Sequence, residues 1–537
     1  MKKIIALLLC ISIITALAAC NSGNSSEKNN KNKLDMPFKL ADSSKIKAHE
    51  FNFGESDLKN HAGEAVPCPL DGIIAAPNDS GKHPLVVILH GVAPIKTVYD
   101  KIYSGFDYLA EQLAAQGYVV MSFNLNIEYY DFDNKGESSN LEWGYALFKQ
   151  QMALLEKANA GDSAVNSQYG IDLSGKIDFE NVHLMGHSRG GELADAFIQM
   201  EKKEGLSRIK SLVCIEAAAY YPPHPDIPIG FIIGEFDGDV PEEGQAVFDD
   251  LQKDPNRTAP ASIVFLRSAN HAYFNRTFTW EHEEKDKRDM SSLLTREKQE
   301  DFLKHYASAF LSVYAKGEAP FGIWDNKQWQ PDTMFGFAVT ASNYVPGRQS
   351  ILEVSEAAKA KLTANGKAEL KFFIKKANDN VLFTHPGATM SDSTLPLYNI
   401  SWSGKDGILS IPCETNDFSS SSSISLYVAV DSSDKLNAKD KQQSFTLTLK
   451  DKSGKTQDII PQHASALSYY PGYATHLEAD EFAPAYDIWN GFMPLGELRI
   501  PLTVFDKIDL KNISEITLNF NQTDSGSVML SGVYLDK

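Results

Sequence analysis

The feature that most constrains the fold of this chain is a serine set among glycines, in the run Gly186-His187-Ser188-Arg189-Gly190-Gly191. An apolar segment at residues 182–185 precedes the run, and residues 192–197 continue it with helical spacing. A strand that turns sharply into a helix holds such a serine in a strained conformation, and small residues on either side let the backbone approach closely. The sequence therefore predicts a strand–turn–helix unit that presents the Ser188 hydroxyl to a substrate.

Short apolar runs alternate with helical patterns on both sides of this unit. Continuous aliphatic runs are typical of strands that are covered on both faces, as in parallel sheets. Such runs occur at residues 85–89, 118–123, 211–215, 229–233 and 262–266, and helical spacing occurs at 106–116, 141–158 and 297–315. This alternation predicts βαβ units. Residues 49–318 are therefore predicted to form an α/β domain with a doubly wound, mostly parallel sheet.

The pattern changes from about residue 333 onward, where strand-like segments follow one another. They lie at residues 370–374, 423–428, 444–450, 513–520 and 528–535, with a hairpin turn at 451–455. We predict that residues 333–537 form an all-β sandwich accessory domain, whose last strands resemble a jelly-roll module. The aromatic run at residues 469–473 favours either a sugar-stacking surface or buried loop packing, so a glycan or surface polymer is a candidate partner.

The N-terminus has the pattern of an export signal. Lys2 and Lys3 precede an apolar run at residues 4–19, which is shorter than the ~20 residues that a spanning helix needs. Its end, Leu17-Ala18-Ala19-Cys20, resembles the lipobox of bacterial lipoproteins. The resemblance implies that residues 1–19 are a signal peptide, that Cys20 carries the lipid, and that the protein is anchored in a bacterial cell membrane, facing outside the cytoplasm. Residues 20–48 are predicted to be a disordered tether.

Charge and cysteine content exclude several classes of function. The net charge of −19 leaves no excess of cations to neutralise phosphates, so nucleic-acid binding is not expected, and contact with the membrane is expected only through the lipid anchor. Cys68, Cys214 and Cys413 do not form a disulfide framework, and Cys214 is predicted to be a buried small hydrophobe. No metal-ligand spacing or nucleotide-binding motif occurs, so neither a cofactor nor a metal is predicted.

A nucleophilic serine needs a base and an acid behind it. The hydroxyl requires an imidazole to take its proton, and the imidazole requires a carboxylate to fix its tautomer. Asp237 follows the predicted strand at residues 229–233, with Asp239 and Glu235 as rivals, and His271 follows the strand at 262–266. The carboxyl ends of parallel strands share one edge of a sheet. We therefore predict that Ser188, Asp237 and His271 form a catalytic triad.

Two backbone N–H groups are expected to stabilise the developing oxyanion. One is that of Arg189, which follows the nucleophile at the start of a helix. The second is assigned to the loop after residues 85–89, in His90-Gly91-Val92, where the N–H of Val92 is the predicted donor and Gly91 permits the close turn.

These motifs resemble those of the α/β-hydrolase superfamily over residues 53–316. Gly186-His187-Ser188-Arg189-Gly190-Gly191, Gly234-Glu235-Phe236-Asp237 and Asn270-His271 are similar to the motifs of its chlorophyllase, dienelactone-hydrolase and polyester-hydrolase branch. The resemblance implies hydrolysis of carboxylic esters, of small molecules or polymers, through an acyl-enzyme. Val92 stands where polyester hydrolases have an aromatic residue, and Ser188 where dienelactone hydrolases have cysteine, so the substrate class is not implied. Two alternatives are a serine peptidase of the same fold and a surface binding protein with a vestigial hydrolase site.

Overall fold

A computed structural model describes most of the chain. The residues that it describes are 33–59, 63, 65–92, 96–129, 141–218, 223–237, 239–240, 243–278, 290–373, 395–432, 434–469 and 495–537. The predicted signal peptide, Cys20 and the first part of the predicted tether lie outside these residues, as does all of the aromatic run except Tyr469. Among the helices in the described ranges, none combines the length and the apolar character needed to span a bilayer.

The first unit is built on one large mixed sheet. Its strands are β1 (Asp35–Met36), β2 (His49–Glu55), β3 (Pro69–Ala75), β4 (His83–Leu89), β5 (Val119–Phe123), β6 (Ile177–His187), β7 (Ile209–Ile215), β8 (Ile229–Gly234), β9 (Ala261–Leu266), β10 (Thr333–Met334) and β11 (Phe337–Tyr344). Their spatial order is β1-β10-β11-β9-β8-β7-β6-β4-β5-β3-β2. Six neighbouring strands, from β5 through β4, β6, β7 and β8 to β9, run parallel.

Helices cover both faces of this sheet, which explains the continuous apolar runs. They are α1 (Asp107–Ala115), α2 (Leu141–Asn159), α3 (Ser163–Tyr169), α4 (Arg189–Lys203), α5 (Glu243–Lys253) and α6 (Arg296–Tyr314). In β4, Val87 lies in the core that α2, α4 and α5 complete, whereas the next residue, Ile88, lies in the core under α1 and α6. Because alternate side chains enter different cores, both need to be apolar. The prediction of an α/β unit with a largely parallel sheet is confirmed.

Two helices and several strands of this unit differ from the sequence-based expectations, and β2 is one of the strands that were not predicted. Helices α3 and α5 were not predicted. Strand β1 lies within residues 20–48, which were predicted to be disordered, and it pairs with β10. Strands β10 and β11 lie within residues 333–537 but belong to the first sheet, where β11 pairs antiparallel with β9 from Val339–Leu266 to Tyr344–Ala261. The predicted tether and domain boundary are therefore wrong at these strands, because an alternating sequence identifies a strand but not the sheet that it joins.

The second unit consists of two antiparallel sheets that share one core. Its elements are β12 (Gln349–Glu353), α7 (Glu356–Lys359), β13 (Thr363–Asn365), β14 (Ala368–Phe373), β15 (Leu397–Ser403), β16 (Gly407–Pro412), β17 (Ser423–Val430), β18 (Thr446–Asp451), β19 (Thr456–Ile459), β20 (Gly496–Pro501), β21 (Ile513–Phe520) and β22 (Ser525–Asp536). One sheet has the order β14-β15-β22-β17-β20, with β12 also pairing β22, and the other has the order β13-β16-β21-β18-β19. Apolar residues of both sheets form a single cluster, as in a sandwich.

Buried polar contacts join the two units. The backbone N–H of Asn343 in β11 donates to Glu497 in β20 at 3.0 Å. Arg499, which is fully buried, hydrogen-bonds to Glu497 at 2.9 Å and to the carbonyl oxygens of Ile323 at 2.8 Å and Asp325 at 2.6 Å. Because a buried guanidinium is tolerated only when its donors are paired, these contacts fix the sandwich against the first sheet.

Candidate active site

Ser188 lies at the turn from β6 into α4, as the sequence predicts. Its backbone has φ 55° and ψ −129°, and it occupies the N-cap position of α4. A positive φ in a residue other than glycine costs on the order of 1–3 kcal/mol and persists only where the surroundings impose it. Here the Ser188 N–H donates to the carbonyl of Ile215 at 2.9 Å, and the Ser188 carbonyl accepts from Gly191 at 2.9 Å.

The glycines of the motif are required by close backbone contacts. A Cβ atom on Gly186 would lie 2.2 Å from the carbonyl oxygen of Gly190, and one on Gly190 would lie 2.3 Å from that of Leu89. In the loop after β4, a Cβ on Gly91 would lie 2.5 Å from the Cβ of Ser188. The absence of these side chains therefore brings the loop after β4 directly against the serine.

His271 and Asp237 form the predicted pair of imidazole and carboxylate. The Nδ1 atom of His271 lies 3.0 Å from Oδ2 of Asp237, and both residues are only 2% exposed. The other carboxylate oxygen, Oδ1, accepts the backbone N–H groups of Asp239 at 2.7 Å and Val240 at 3.0 Å. An acceptor that is held in this way on the Nδ1 side fixes the tautomer with the proton on Nδ1.

The two rivals of Asp237 have other contacts. The Glu235 carboxylate accepts the backbone N–H of Ser268 at 2.8 Å and pairs with Arg267 at 3.3 Å. The Asp239 carboxylate is 39% exposed and lies 3.6 Å from Nε2 of His271, on the side of the ring opposite Asp237. Asp237 is thus the residue that orients the imidazole, and Asp239 contributes a negative charge near its other nitrogen.

The charge of this pair shifts both pKa values. Burial disfavours the imidazolium, but the Asp237 carboxylate and its hydrogen bond outweigh burial and raise the pKa of His271 to about 9. Burial also works against the Asp237 charge, yet the His271 imidazolium and the hydrogen bonds that Asp237 accepts hold its pKa below the ordinary value. The carboxylate therefore stays ionised, and the imidazole is a stronger base than a solvated histidine.

A second histidine connects His271 to the turn that holds Ser188. His187 precedes Ser188, and its Nε2 lies 2.9 Å from the carbonyl oxygen of His271. Burial lowers the pKa of His187 to about 3, so its ring is neutral, and Nε2–H donates to that carbonyl. The segment that carries His271 is therefore hydrogen-bonded to the residue that precedes Ser188.

The loop after β4 is oriented by His90, for which no separate role was predicted. Its Nε2 accepts the backbone N–H of Leu125 at 2.9 Å, so Nδ1 carries the proton and donates to the carbonyl of Gly91 at 2.9 Å. The carbonyl and the following N–H of a trans peptide point in opposite directions. Fixing the Gly91 carbonyl therefore also fixes the direction of the N–H of Val92, whose side chain is 36% exposed. Arg189, the other predicted donor, is the first residue of α4, where the helix dipole favours negative charge.

Glu216 is a site residue that the sequence analysis missed. It follows the last residue of β7, has φ 45° and is 1% exposed. Its carboxyl group and the ligand atoms of Asp237 and His271 all lie within 4.8 Å of one another. Burial, followed by the charge of Asp237, raises the pKa of Glu216 well above its ordinary value. The available signal was an acidic residue at the end of an otherwise apolar strand.

This cluster of Glu216, Asp237 and His271 has the spacing of a set of metal ligands. Such an ion needs deprotonated ligands. The Nδ1–H of His271, however, is directed at Asp237 at 3.0 Å. A hydrogen bond therefore explains why these two groups lie so close together.

Comparison of the whole chain with protein-family models gives no match, and no curated protein is significantly similar to it. The function is therefore inferred from the geometry of the site.

Proposed function

We propose that this protein is a serine hydrolase of the α/β-hydrolase superfamily that cleaves carboxylic esters through an acyl-enzyme. The observation that carries the proposal is the buried 3.0 Å contact between His271 and Asp237, next to a serine held at φ 55° between a parallel strand and a helix. The order of serine, acid and histidine along the chain, each at the end of a parallel strand, is that of this superfamily. We also propose that the antiparallel sandwich is an accessory module of the jelly-roll type.

In the proposed reaction, Ser188 Oγ attacks the ester carbonyl carbon while His271 Nε2 takes the hydroxyl proton. Asp237 stabilises the imidazolium, and the N–H groups of Val92 and Arg189 bind the oxyanion. The C–O bond of the ester then breaks, and His271 returns the proton to the leaving alkoxide. Water repeats these steps on the acyl-enzyme and releases the acid.

The test is the replacement of Ser188 by alanine. Wild-type protein is expected to hydrolyse short p-nitrophenyl esters and to react with a fluorophosphonate probe at Ser188. S188A is expected to lose both while keeping the wild-type melting temperature, because alanine retains the Cβ atom and the hydroxyl makes no capping hydrogen bond to α4. Hydrolysis by S188A at the wild-type rate would refute the assignment.

A serine peptidase of the same fold is the second candidate, and the Asp239 carboxylate favours it. This partly exposed charge lies 3.6 Å from His271 Nε2, where it suits a substrate with a protonated amine. Aminoacyl and dipeptidyl amides, assayed beside acyl esters of the same size, separate the two activities. A protein with no reaction at Ser188 would instead be a surface binding protein with a vestigial site.

We further propose that Cys20 is lipidated and holds the protein on the outer face of a bacterial membrane. The lipobox-like sequence Leu17-Ala18-Ala19-Cys20 supports this assignment. Replacing Cys20 with serine is expected to move the protein from the membrane fraction to the soluble fraction without changing ester hydrolysis. The partners expected are then an ester substrate at Ser188 and a glycan or another surface polymer at the sandwich.

A further inference from the structure

Three non-glycine residues with positive φ lie at the carboxyl-end edge of the parallel sheet. They are Ser188 after β6, Glu216 after β7 and Ser268 after β9, with φ values of 55°, 45° and 62°. Backbone strain of this kind clusters at functional sites, where the surrounding structure imposes it. Ser188 is explained by its nucleophilic role. Glu216 calls for an explanation of its own, because the strain turns its carboxyl group inward toward His271 and Asp237.

The space for this carboxyl group is provided by a glycine. A Cβ atom on Gly234, the last residue of β8, would lie 2.5 Å from Oε1 of Glu216 and 2.7 Å from the carbonyl oxygen of Ala269. The Glu216 backbone is fixed as well, since its N–H donates to the carbonyl of Ile232 at 2.9 Å. The strands on either side thus hold Glu216 in a slot directly behind the acid of the triad.

An ionised carboxylate would be costly in this slot. Among the described residues, neither oxygen of Glu216 has a donor in full hydrogen-bond geometry, and the residue is 1% exposed. The backbone N–H of Gly234 favours the ionised form of this carboxyl group, but burial outweighs it and raises the pKa. Burial of an unpaired carboxylate costs several kcal/mol, whereas a neutral carboxylic acid carries its own donor. The nearest carboxylate is that of Asp237, which the protonated Glu216 can approach without repulsion.

Resting on the function proposed above, we propose that Glu216 is a positioning residue of the site. It is a protonated carboxyl group that donates a hydrogen bond to Asp237. Asp237 then accepts four hydrogen bonds, from the Nδ1–H of His271, from two backbone N–H groups and from the O–H of Glu216. A carboxylate has about four acceptor positions, so all of them are filled. A carboxylate with all positions filled holds the Nδ1 proton less tightly. Glu216 therefore limits how strongly Asp237 favours the protonated form of His271.

The other titratable groups around this cluster are few in the described part of the chain. His187 comes from the end of β6 and His90 from the end of β4, and burial keeps both neutral by lowering their pKa values. Asp239 and Glu243 act on His271 from the loop after β8 and the start of α5. These four residues are unchanged in the variants below, so a shift in the pH profile reports on Glu216 alone.

The experiment compares Glu216→Gln and Glu216→Ala by the pH dependence of kcat/KM for an ester. The acid limb of this profile is the rise of kcat/KM with pH as His271 loses its proton. A glutamine amide also donates a hydrogen bond, so the acid limb of E216Q is expected to lie within about 0.2 pH units of that of wild type. E216A removes the donor, so Asp237 becomes more basic and the acid limb is expected to move to higher pH, by about half a unit, a typical size for one hydrogen bond. A shift of the E216Q limb to lower pH by a unit or more would show that Glu216 is ionised.

Infrared spectroscopy gives a second readout that needs no activity. Wild-type protein at pH 7 is expected to show a carbonyl stretch of a buried carboxylic acid that is missing from E216Q. The band is measured in the difference between the two spectra, which cancels the signals of other buried acids such as Asp249 and Asp536. A wild-type spectrum without that band would overturn the proposal, as would an unshifted acid limb in an E216A variant whose only defect is a lower melting temperature.

Two controls keep the proposal separate from its premises. Fluorophosphonate labelling of Ser188 tests the proposed function independently of Glu216. An unlabelled Ser188 would refute the proposed hydrolase activity, whereas the infrared band would still report whether Glu216 is protonated. Treatment with EDTA, followed by added Zn²⁺, tests the metal alternative. Loss of activity with EDTA and its recovery with Zn²⁺ would assign the three side chains to an ion and overturn the hydrogen bond.

Discussion

In the described part of the chain, each of the two units has a pair of buried carboxyl groups, and the two pairs are neutralised in different ways. Glu216 and Asp237 lie at the edge of the first sheet with His271 as their cation. Glu497 and Asp536 lie in the sandwich, where Arg499 pairs with Glu497 at 2.9 Å. Ser425 Oγ lies 2.6 Å from Glu497 and 2.5 Å from Asp536. Because a hydroxyl has one proton, one of these two contacts requires a proton from a carboxylic acid.

The second pair supports this interpretation through the pKa of Asp536. Burial, followed by the charge of Glu497, raises that pKa to about 6. In both pairs, then, one carboxyl group holds a proton more tightly than it does in water. The difference lies in the cation. Arginine does not release its proton at accessible pH, whereas histidine exchanges protons near neutrality. The same electrostatic arrangement therefore suits a fixed ion pair in the sandwich and, under the function proposed above, proton transfer at Ser188.

The sharpest test of this contrast replaces one carboxylate in each pair with its isosteric amide. Asp237→Asn is expected to lower kcat/KM by about 10⁴-fold, because an asparagine favours the wrong tautomer of His271. Asp536→Asn is expected to leave kcat/KM within about two-fold of wild type, since Asp536 lies in the sandwich and not at the sheet edge that carries Ser188, Asp237 and His271. Ester hydrolysis assays measure both. Equal losses in the two variants would contradict the contrast.

The next largest effect is expected on stability. Arg499→Met removes the cation from Glu497, which keeps its neutral partners Asn343 and Ser425, and it also removes the guanidinium donors from the carbonyl oxygens of Ile323 and Asp325. Removal of one partner from a buried ion pair costs about 3–5 kcal/mol. Urea unfolding is expected to show this loss, with kcat/KM unchanged in the folded protein. The matched control is Lys405→Met, since the Lys405–Asp524 pair is exposed and is expected to contribute less than about 1 kcal/mol. A stable R499M would show that the guanidinium does not hold the units together.

The smallest effect is expected from Asp239, and it appears in the pH dependence of activity. With a His271 pKa of about 9, kcat/KM is expected to rise with pH and to level off near pH 9, because the base acts when unprotonated. Ionisation of His271 also stabilises the fold, because its pKa is higher in the folded state. This stability is present at low pH and is lost as pH rises from 6.5 toward 9.

Asp239→Asn removes a partly exposed negative charge near His271. The rise of kcat/KM is therefore expected to move to lower pH by about half a unit. An unchanged limb would show that Asp239 does not act on His271.

Much of the site could be predicted because each residue follows a strand that is apolar for a simple reason. The runs at residues 85–89 and 229–233 are continuous because both faces of the sheet are covered, and their ends place the loop of Gly91 and the loop of Asp237 at one edge. The choice among Asp237, Asp239 and Glu235 depended on the turn after β8, in which the Asp237 N–H donates to Gly234. Residue spacing could not distinguish these three acids.

The parts that were missed depend on contacts between segments distant in the sequence. Glu216 has its role because of a positive φ and a slot beside Gly234, neither of which is visible in the residues around it. The role of His90 depends on Leu125, which decides its tautomer. Likewise, no strand was predicted at residues 337–344, and only the three-dimensional structure shows that β11 forms there and pairs with β9 rather than with a strand of the sandwich.

This last pairing decides where the chain can be divided. A truncated protein that ends at residue 332 would leave β9 as an uncovered edge strand, with the N–H and C=O groups that β11 now occupies available to a second molecule. Such edges promote association between chains. A fragment that continues through Tyr344 keeps the edge covered, although it still loses its contacts with the sandwich, among them those of Asn343 with Glu497 and of Ile323 and Asp325 with Arg499. The shorter fragment is thus expected to aggregate where the longer one stays in solution, although their active-site residues are identical.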